Sequence, residues 1–598
     1  MRRTSNVRKM TILAQDPSIR FGPGGPVAFA QVEIPAEILA HGPTGYRVRI
    51  VDYDASAQVM YKDLIARRND DDDLGDPFLR ADGESDSDYE ARLLGDPNFH
   101  SQNCYAIIMR TLARFEKALG RRVGWSFEGH QVHVAPHAFA LANAFYSEED
   151  KGLFFGYFPD RTGAKMVFTC LSHDVVAHET THALLDGLRT RFTEASGPDQ
   201  GAFHEGLADI VALFSIFSLP EMVATALGAD AGRRAPGEPI RLIHGDLLTE
   251  EKLRNSALFG LAEQVGKEMQ QIHGALRRSI NIEPDPGLLA SPEYQEEHAR
   301  GELIVAAMMR SFLGMWRQRI EGLGTFEGGN YNLDMVIEEG VKAADHLLTM
   351  SIRALDYCPP TDMDFGTYLA ALLTADAELV PDDPHGYRDT LRRTFESYGI
   401  ILPDTGCDQE TGTWCRFDLG TEPAVPPGTV PEGTVALAPA KPRELVYSRT
   451  NFDSMLHDRD EVFRFLWENR AVLGISDRSP MEVDSVRSST RQAPDGFFLR
   501  ETIVTYVQIA DIFGAATVSV LGTERPPGMS TRQRIRAFGG GVIVFDQYGQ
   551  VKYHITHPLK DGPRQRRRLE YLMAHGGTAP QRGLRDRFAA LHRARAEA

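Results

Sequence analysis

The sequence predicts an α+β protein of more than one domain, and three observations point to that class. The 598 residues exceed what one ordinary hydrophobic core organises, so two to four domains are expected. Strand-like alternation gathers near the two ends, with helix-spaced apolar residues between them. A proline-rich stretch, residues 420–442, carries Pro423, Pro426, Pro427, Pro431, Pro439 and Pro442 with almost no periodicity and reads as a linker.

The elements follow in order. Residues 27–34 and 46–51 alternate apolar and polar positions on either side of Gly42, Pro43 and Gly45, which predicts strands. Residues 67–88 are acidic and read as a solvated loop. From Tyr105 onward Ile107, Ile108, Leu112, Phe115 and Leu119 recur at helix spacing, and residues 132–134 read as a strand. Helices are expected over 172–187, 203–219, 301–317 and 333–355, with two more within 365–399. Beyond the linker, 460–472 reads as a helix, while 502–510, 517–521, 541–545 and 551–556 read as strands, the last two joined in a hairpin by Asp546–Gly549. The basic run Arg564–Arg568 reads as a solvated helix face.

Composition narrows the function. Hydrophobic residues make up 42% and charged residues 25%, the balance of a globular protein. A net charge of −18 argues against a nucleic-acid partner, because such proteins neutralise phosphates with Lys and Arg. The first 20 residues lack the apolar run of a secretory signal, and no segment reaches the roughly 18 apolar residues of a membrane span. The five cysteines are scattered, and Cys407 and Cys415 read as free thiols rather than a bridge. A cytoplasmic protein without a membrane partner is the expectation.

Chemistry is concentrated in two segments. In His178-Glu179-Thr-Thr-His182, residues four apart share one helix face, so the two imidazoles converge. Zinc favours such nitrogens in a tetrahedral site, and two of them need a third ligand plus an open position for water. Glu179 lies where it can reach that water without binding the metal. Glu205 follows 23 positions after His182 and is paired at helix spacing with Asp209 among Leu207, Ile210, Val211 and Phe214. Two carboxylates on an apolar helix need partners. A zinc ion for Glu205 and a metal-bound histidine for Asp209 are suitable ones. The turn-forming residues 196–201 let the two helices fold back on each other.

With these residues in view, the chain resembles the gluzincin metallopeptidases, and in particular the thermolysin family, over about residues 98–403. The resemblance implies a Zn2+ cofactor on His178, His182 and Glu205, with Glu179 as general base toward a peptide or protein substrate and Asp209 orienting His178. It also implies that His298, ahead of a core helix, stabilises the oxyanion with Glu293 orienting it. Asn143 and Ala144 would pair with the backbone of an extended substrate. The fold so implied is a mixed N-terminal lobe with a sheet and a mainly helical C-terminal lobe. The expected segments are a β-rich region 1–97 with the acidic loop, the N-lobe 98–219 and the helical lobe 220–405. A linker 406–445 and an α+β domain 446–598 complete the chain. Three departures stand out: His204 replaces the family's Asn before the third ligand, Phe192 or Thr193 falls where a second oxyanion donor, a tyrosine, is usual, and Ile216 falls where a calcium-binding glutamate would be. The missing tyrosine motivates a rival reading, a zinc-binding regulatory or interaction protein with weakened hydrolysis.

Overall fold

The computed structural model describes residues 6–17, 27–62, 75–160, 162–163, 165–194, 196–228, 239–254, 279, 281–419, 421–422, 441–442, 445–447, 452–492 and 496–575. Helix and sheet are mixed, as an α+β protein requires. The described residues divide into two compact units, one holding those up to Leu355 together with Asp364–Ile401, the other Asp356–Met363 and those from Leu402 onward.

In the first unit β1 (Val7–Leu13) and β2 (Phe29–Pro35) form an antiparallel pair. Next come β3 (Val48–Ile50) and α1 (Asp86–Leu94). Helix α2 (Pro97–Leu119) starts eight residues before its apolar periodicity shows, because Asp96 caps it through Asn98 N–H and Pro97 occupies its first turn. Strands β4 (Val132–Phe139), β5 (Ala144–Ser147), β6 (Gly152–Pro159) and β7 (Met166–Phe168) complete a five-stranded sheet. Its order is β3-β4-β6-β5, with β7 also on β6. The first three of these run parallel, while β5 and β7 run antiparallel to β6. Asn103 of α2 ties the layers together, accepting from Leu13 N–H and donating to the carbonyl of Cys170.

Helices then dominate. They are α3 (His173–Leu188), α4 (Pro198–Phe217), α5 (Pro220–Ala226), α6 (Glu297–Glu321), α7 (Leu333–Arg353), α8 (Phe365–Ala377) and α9 (Tyr387–Ser397). Helices α4 and α6 cross at a pair of glycines. A Cβ on Gly301 would lie 2.8 Å from the Ala202 carbonyl and 3.1 Å from Gly206 N, so only glycine lets the two backbones approach this closely. Asp199, in the first turn of α4, accepts from Arg300 Nε at 2.6 Å and from Phe365 N–H at 3.2 Å, which fixes α4, α6 and α8 to one another. No single helix among the described residues is long and apolar enough to cross a membrane. Helices α4 and α5 meet that test only as a pair bent by 85°.

The second unit is built on an antiparallel sheet in the order β8 (Met481–Gln492), β9 (Phe498–Phe513), β10 (Arg534–Phe545), β11 (Val551–His557). Helix α10 (Arg459–Glu468) packs Val462, Phe465 and Leu466 into a core with Val504, Tyr506 and Ile543.

Four local expectations are corrected. Residues 517–521 form a short helix, α11 (Thr517–Leu521), rather than a strand. Buried Thr517 and Leu521 share its inner side, and Gly522 at φ +75° ends it, so tertiary context overrides a weak β preference. The end of the acidic loop, Asp86–Asp88, is the first turn of α1, where Ser85 accepts from Asp88 N–H and the negative charges meet the positive end of the helix dipole. Residues 198–201 belong to α4, with Pro198 in its first turn. Arg568 in α12 (Gly562–Ala574) is buried, pairing with Asp362 at 3.1 Å and lying over the Phe538 ring, so the basic run is not simply a solvated face. Of the proline-rich stretch, residues 421–422 and 441–442 pair antiparallel, and the rest lies outside the described residues, as do residues 67–74 of the acidic loop. All five cysteines are free thiols.

Candidate metal centre

Helix α3 brings His178 and His182 to one face, and α4 lays Glu205 across from them. The two Nε2 atoms are 2.9 Å apart, and each lies 3.6 Å from Glu205 Oε2. A tetrahedral ion with bonds of about 2.05 Å has ligand–ligand edges of roughly 3.3 Å, so this triangle matches the size such an ion needs. The three residues are nearly inaccessible to solvent, and their ligand atoms all lie within 4.8 Å of one another.

The outer nitrogens of the two rings are engaged. Asp209 Oδ1 sits 2.7 Å from His178 Nδ1, which assigns that nitrogen a hydrogen and turns the Nε2 lone pair inward. His204 Nδ1 sits 2.7 Å from His182 Nδ1, and the rings stack with centroids 4.8 Å apart. A partner on the far nitrogen is the usual way a metal-binding imidazole is held in one tautomer and orientation. His204 therefore fills the position that the sequence marked as a departure.

Burial disfavours a charged His178, yet Asp209, Glu205 and Glu179 together outweigh it and raise that ring well above the ordinary imidazole value. Burial and the adjacent His178 charge push His182 well below it. Glu205 is also buried, but His298, His182 and His178 hold it well below the carboxylate range. Burial raises Asp209, with His178 partly offsetting the effect. Burial and mutual charge thus drive His178 and Glu205 toward their charged forms and His182 and Asp209 toward their neutral forms.

No family model and no curated protein matches this chain.

Around the triangle lie the other groups the sequence singled out. Glu179 is fully buried, and its Oε2 accepts from Tyr146 N–H at 3.0 Å. Gly156 N–H donates to the Asn143 carbonyl on the inner side of β5, so the alternate residues Ala144 and Tyr146 turn their N–H groups to the outer side. There Ala144 N–H meets the Asn143 side chain at 2.9 Å and Tyr146 N–H meets Glu179. Among the described strands β5 pairs with β6 alone, which leaves it at the edge of the sheet.

His298 lies in the first turn of α6, three residues before Gly301, and the glycine crossing carries its Nε2 to 3.5 Å from Glu205 Oε2. It stands outside the three-ligand group. The carboxylate that meets its Nδ1 is Glu296, at 2.7 Å, not Glu293 as the sequence had suggested. Glu296 is the N-cap of α6 and also accepts from the backbone N–H groups of His298 and Ala299, so it is held in place to meet the ring. Glu293 belongs to the preceding turn, where its backbone N–H donates to Ser291. Phe192 packs edge-on against Phe203, and Thr193 donates to the Thr190 carbonyl, so neither supplies a donor to the centre. The Tyr146 hydroxyl is engaged by Ser126 and Asp186.

Proposed function

We propose that the protein is a zinc-dependent endopeptidase of the gluzincin type, similar in its site to the thermolysin family. The observation that carries this reading is the triangle of His178, His182 and Glu205 with Glu179 beside it against an edge strand. The mixed sheet lobe before α3 and the helical lobe after α4 are compatible with a thermolysin-like core.

His178, His182 and Glu205 would hold the ion. When bound, zinc supplies Lewis acidity, lowering the pKa of a water toward about 7 and polarising a carbonyl. An extended peptide laid along the outer side of β5 would bring its scissile bond beside Glu179, and with Ala144 and Tyr146 N–H engaged by Asn143 and Glu179 it would meet the outward carbonyls of the strand. Tyr146 N–H fixes the plane of the Glu179 carboxylate. Glu179 takes a proton from the attacking water as the oxygen–carbon bond forms, then delivers it to the leaving nitrogen as the carbon–nitrogen bond breaks. His298 Nε2 donates to the oxygen on which charge develops, and Glu296 holds the ring to that task.

A second reading, a zinc-binding protein with weakened hydrolysis, is favoured by Phe192 and Thr193, which leave His298 without a nearby second donor from that turn. One assay separates the two. Full-length protein incubated with a quenched random peptide library should show turnover that a chelator abolishes and zinc restores. Glu179→Gln should keep zinc and lose about 10²- to 10⁴-fold in rate, the usual size of a general-base contribution. Absence of turnover in zinc-loaded protein would favour the second reading.

A further inference from the structure

A second histidine cluster lies in the same unit, away from the HExxH triangle. His100 comes from α2, His137 from β4, and Cys170 from the turn between β7 and α3. All three are buried, at 2%, 1% and 0% exposure, and their potential ligand atoms lie within 4.8 Å of one another.

The hydrogen bonds assign the ring nitrogens. The Leu94 carbonyl lies 2.9 Å from His100 Nε2, and a carbonyl only accepts, so that nitrogen carries a hydrogen. Asp52 Oδ2 lies 2.7 Å from His137 Nδ1, while its Oδ1 accepts from the His137 backbone N–H at 3.0 Å, so this outer nitrogen is likewise a donor. What remains are the inner nitrogens, His100 Nδ1 and His137 Nε2, facing each other at 2.8 Å. Tethered in this way, the two rings turn their inner nitrogens toward one point, where either a shared proton or a metal ion must sit between them. The HExxH triangle has the same design: Asp209 and His204 hold the outer nitrogens and the inner pair stands 2.9 Å apart.

Cys170 adds a thiol within 4.8 Å of both rings, which a plain hydrogen-bond relay between two buried histidines does not need. Two imidazoles and a thiolate suit zinc and reject the hard, oxygen-seeking Mg2+ and Ca2+. Tyr61 covers His137 with ring centroids 4.5 Å apart, and Phe168 covers His100 and His137 at 4.8 and 5.3 Å. Buried Cys104, whose Sγ is 3.6 Å from the Cys170 carbonyl, adds a second sulfur to the same surroundings. A structural zinc site fills its fourth position with a protein ligand, and the buried Cys104 sulfur beside Cys170 is the group on hand for it.

We propose that His100, His137 and Cys170 bind a second zinc ion with a structural role. Binding would displace the Cys170 thiol proton and any proton shared between the rings. The ion would fasten α2 and β4 to the turn that enters α3, eight residues ahead of His178.

Cobalt substitution tests this on the full chain, because the HExxH triangle contains no sulfur. Apo protein titrated with Co2+ should bind two equivalents and develop a thiolate-to-cobalt charge-transfer band in the near ultraviolet. A His178→Ala/His182→Ala variant should bind one equivalent and keep the band. Cys170→Ser should lose it. Absence of the band from the wild-type protein, or its survival in Cys170→Ser, would overturn the proposal. Should Cys170→Ser fail to fold, Cys407→Ser/Cys415→Ser should keep the band, and its loss there would overturn the proposal.

Discussion

His204 Nδ1 stands 2.7 Å from His182 Nδ1, giving the second imidazole of the triangle an outer partner as His178 has in Asp209. His204, which looked like a departure in the sequence, thus holds the His182 ring through its outer nitrogen. Replacing His204 with Leu should weaken zinc binding by about 10- to 100-fold, the usual effect of removing an outer partner. His204→Asn, which can still accept through its side-chain oxygen, should restore most of that affinity. Competition with a chromophoric zinc chelator measures both variants.

The crossing of Gly206 and Gly301 makes a separate prediction. A methyl group on Gly301 meets backbone, the Ala202 carbonyl and Gly206 N, and neither can swing aside as a side chain would. Gly301→Ala should therefore cost about 1–3 kcal/mol of stability, as overpacking typically does. Because the same methyl would lie 3.5 Å from Glu205 Cβ and His298 is one helical turn away, zinc affinity and kcat should both fall. Denaturant melts, zinc competition and peptide turnover together check this.

Histidine chemistry also predicts an acid response. His173 is fully buried, with Nδ1 toward the Leu13 carbonyl and Nε2 accepting from Ser215 Oγ, so the neutral ring is satisfied as it stands. Burial, aided by nearby Arg110, lowers it to about 3, against roughly 6.5 in the unfolded chain. The unfolded state then binds the proton first as pH falls. Stability from this group is complete above about pH 6.5 and is lost at up to about 1.4 kcal/mol per pH unit down to about pH 3. Chelated wild-type protein should lose denaturant resistance more steeply across that window than chelated His173→Asn. Identical slopes would contradict this assignment.

Much of the candidate site could be read without coordinates because helix spacing is local. His178 and His182, and again Glu205 and Asp209, share a face by their four-residue separation alone. What sequence spacing could not supply was the approach between helices. The small residues Gly206 and Gly301 let α4 and α6 touch, which carries His298 to Glu205, while the N-cap position of Glu296 decides that it rather than Glu293 meets the ring. The pairing of His100, His137 and Cys170 was hidden for the same reason, since three elements from distant parts of the chain converge there. Residues 517–521 misled because a β-rich composition over five residues weighs less than the turn that Gly514 and Gly522 impose.

A crystal grown with zinc, measured on both sides of the zinc absorption edge, tests the central claim most directly. An anomalous peak about 2.0–2.2 Å from His178 Nε2, His182 Nε2 and a Glu205 oxygen is the predicted result. Zinc-loaded protein with no peak at that triangle would contradict the account.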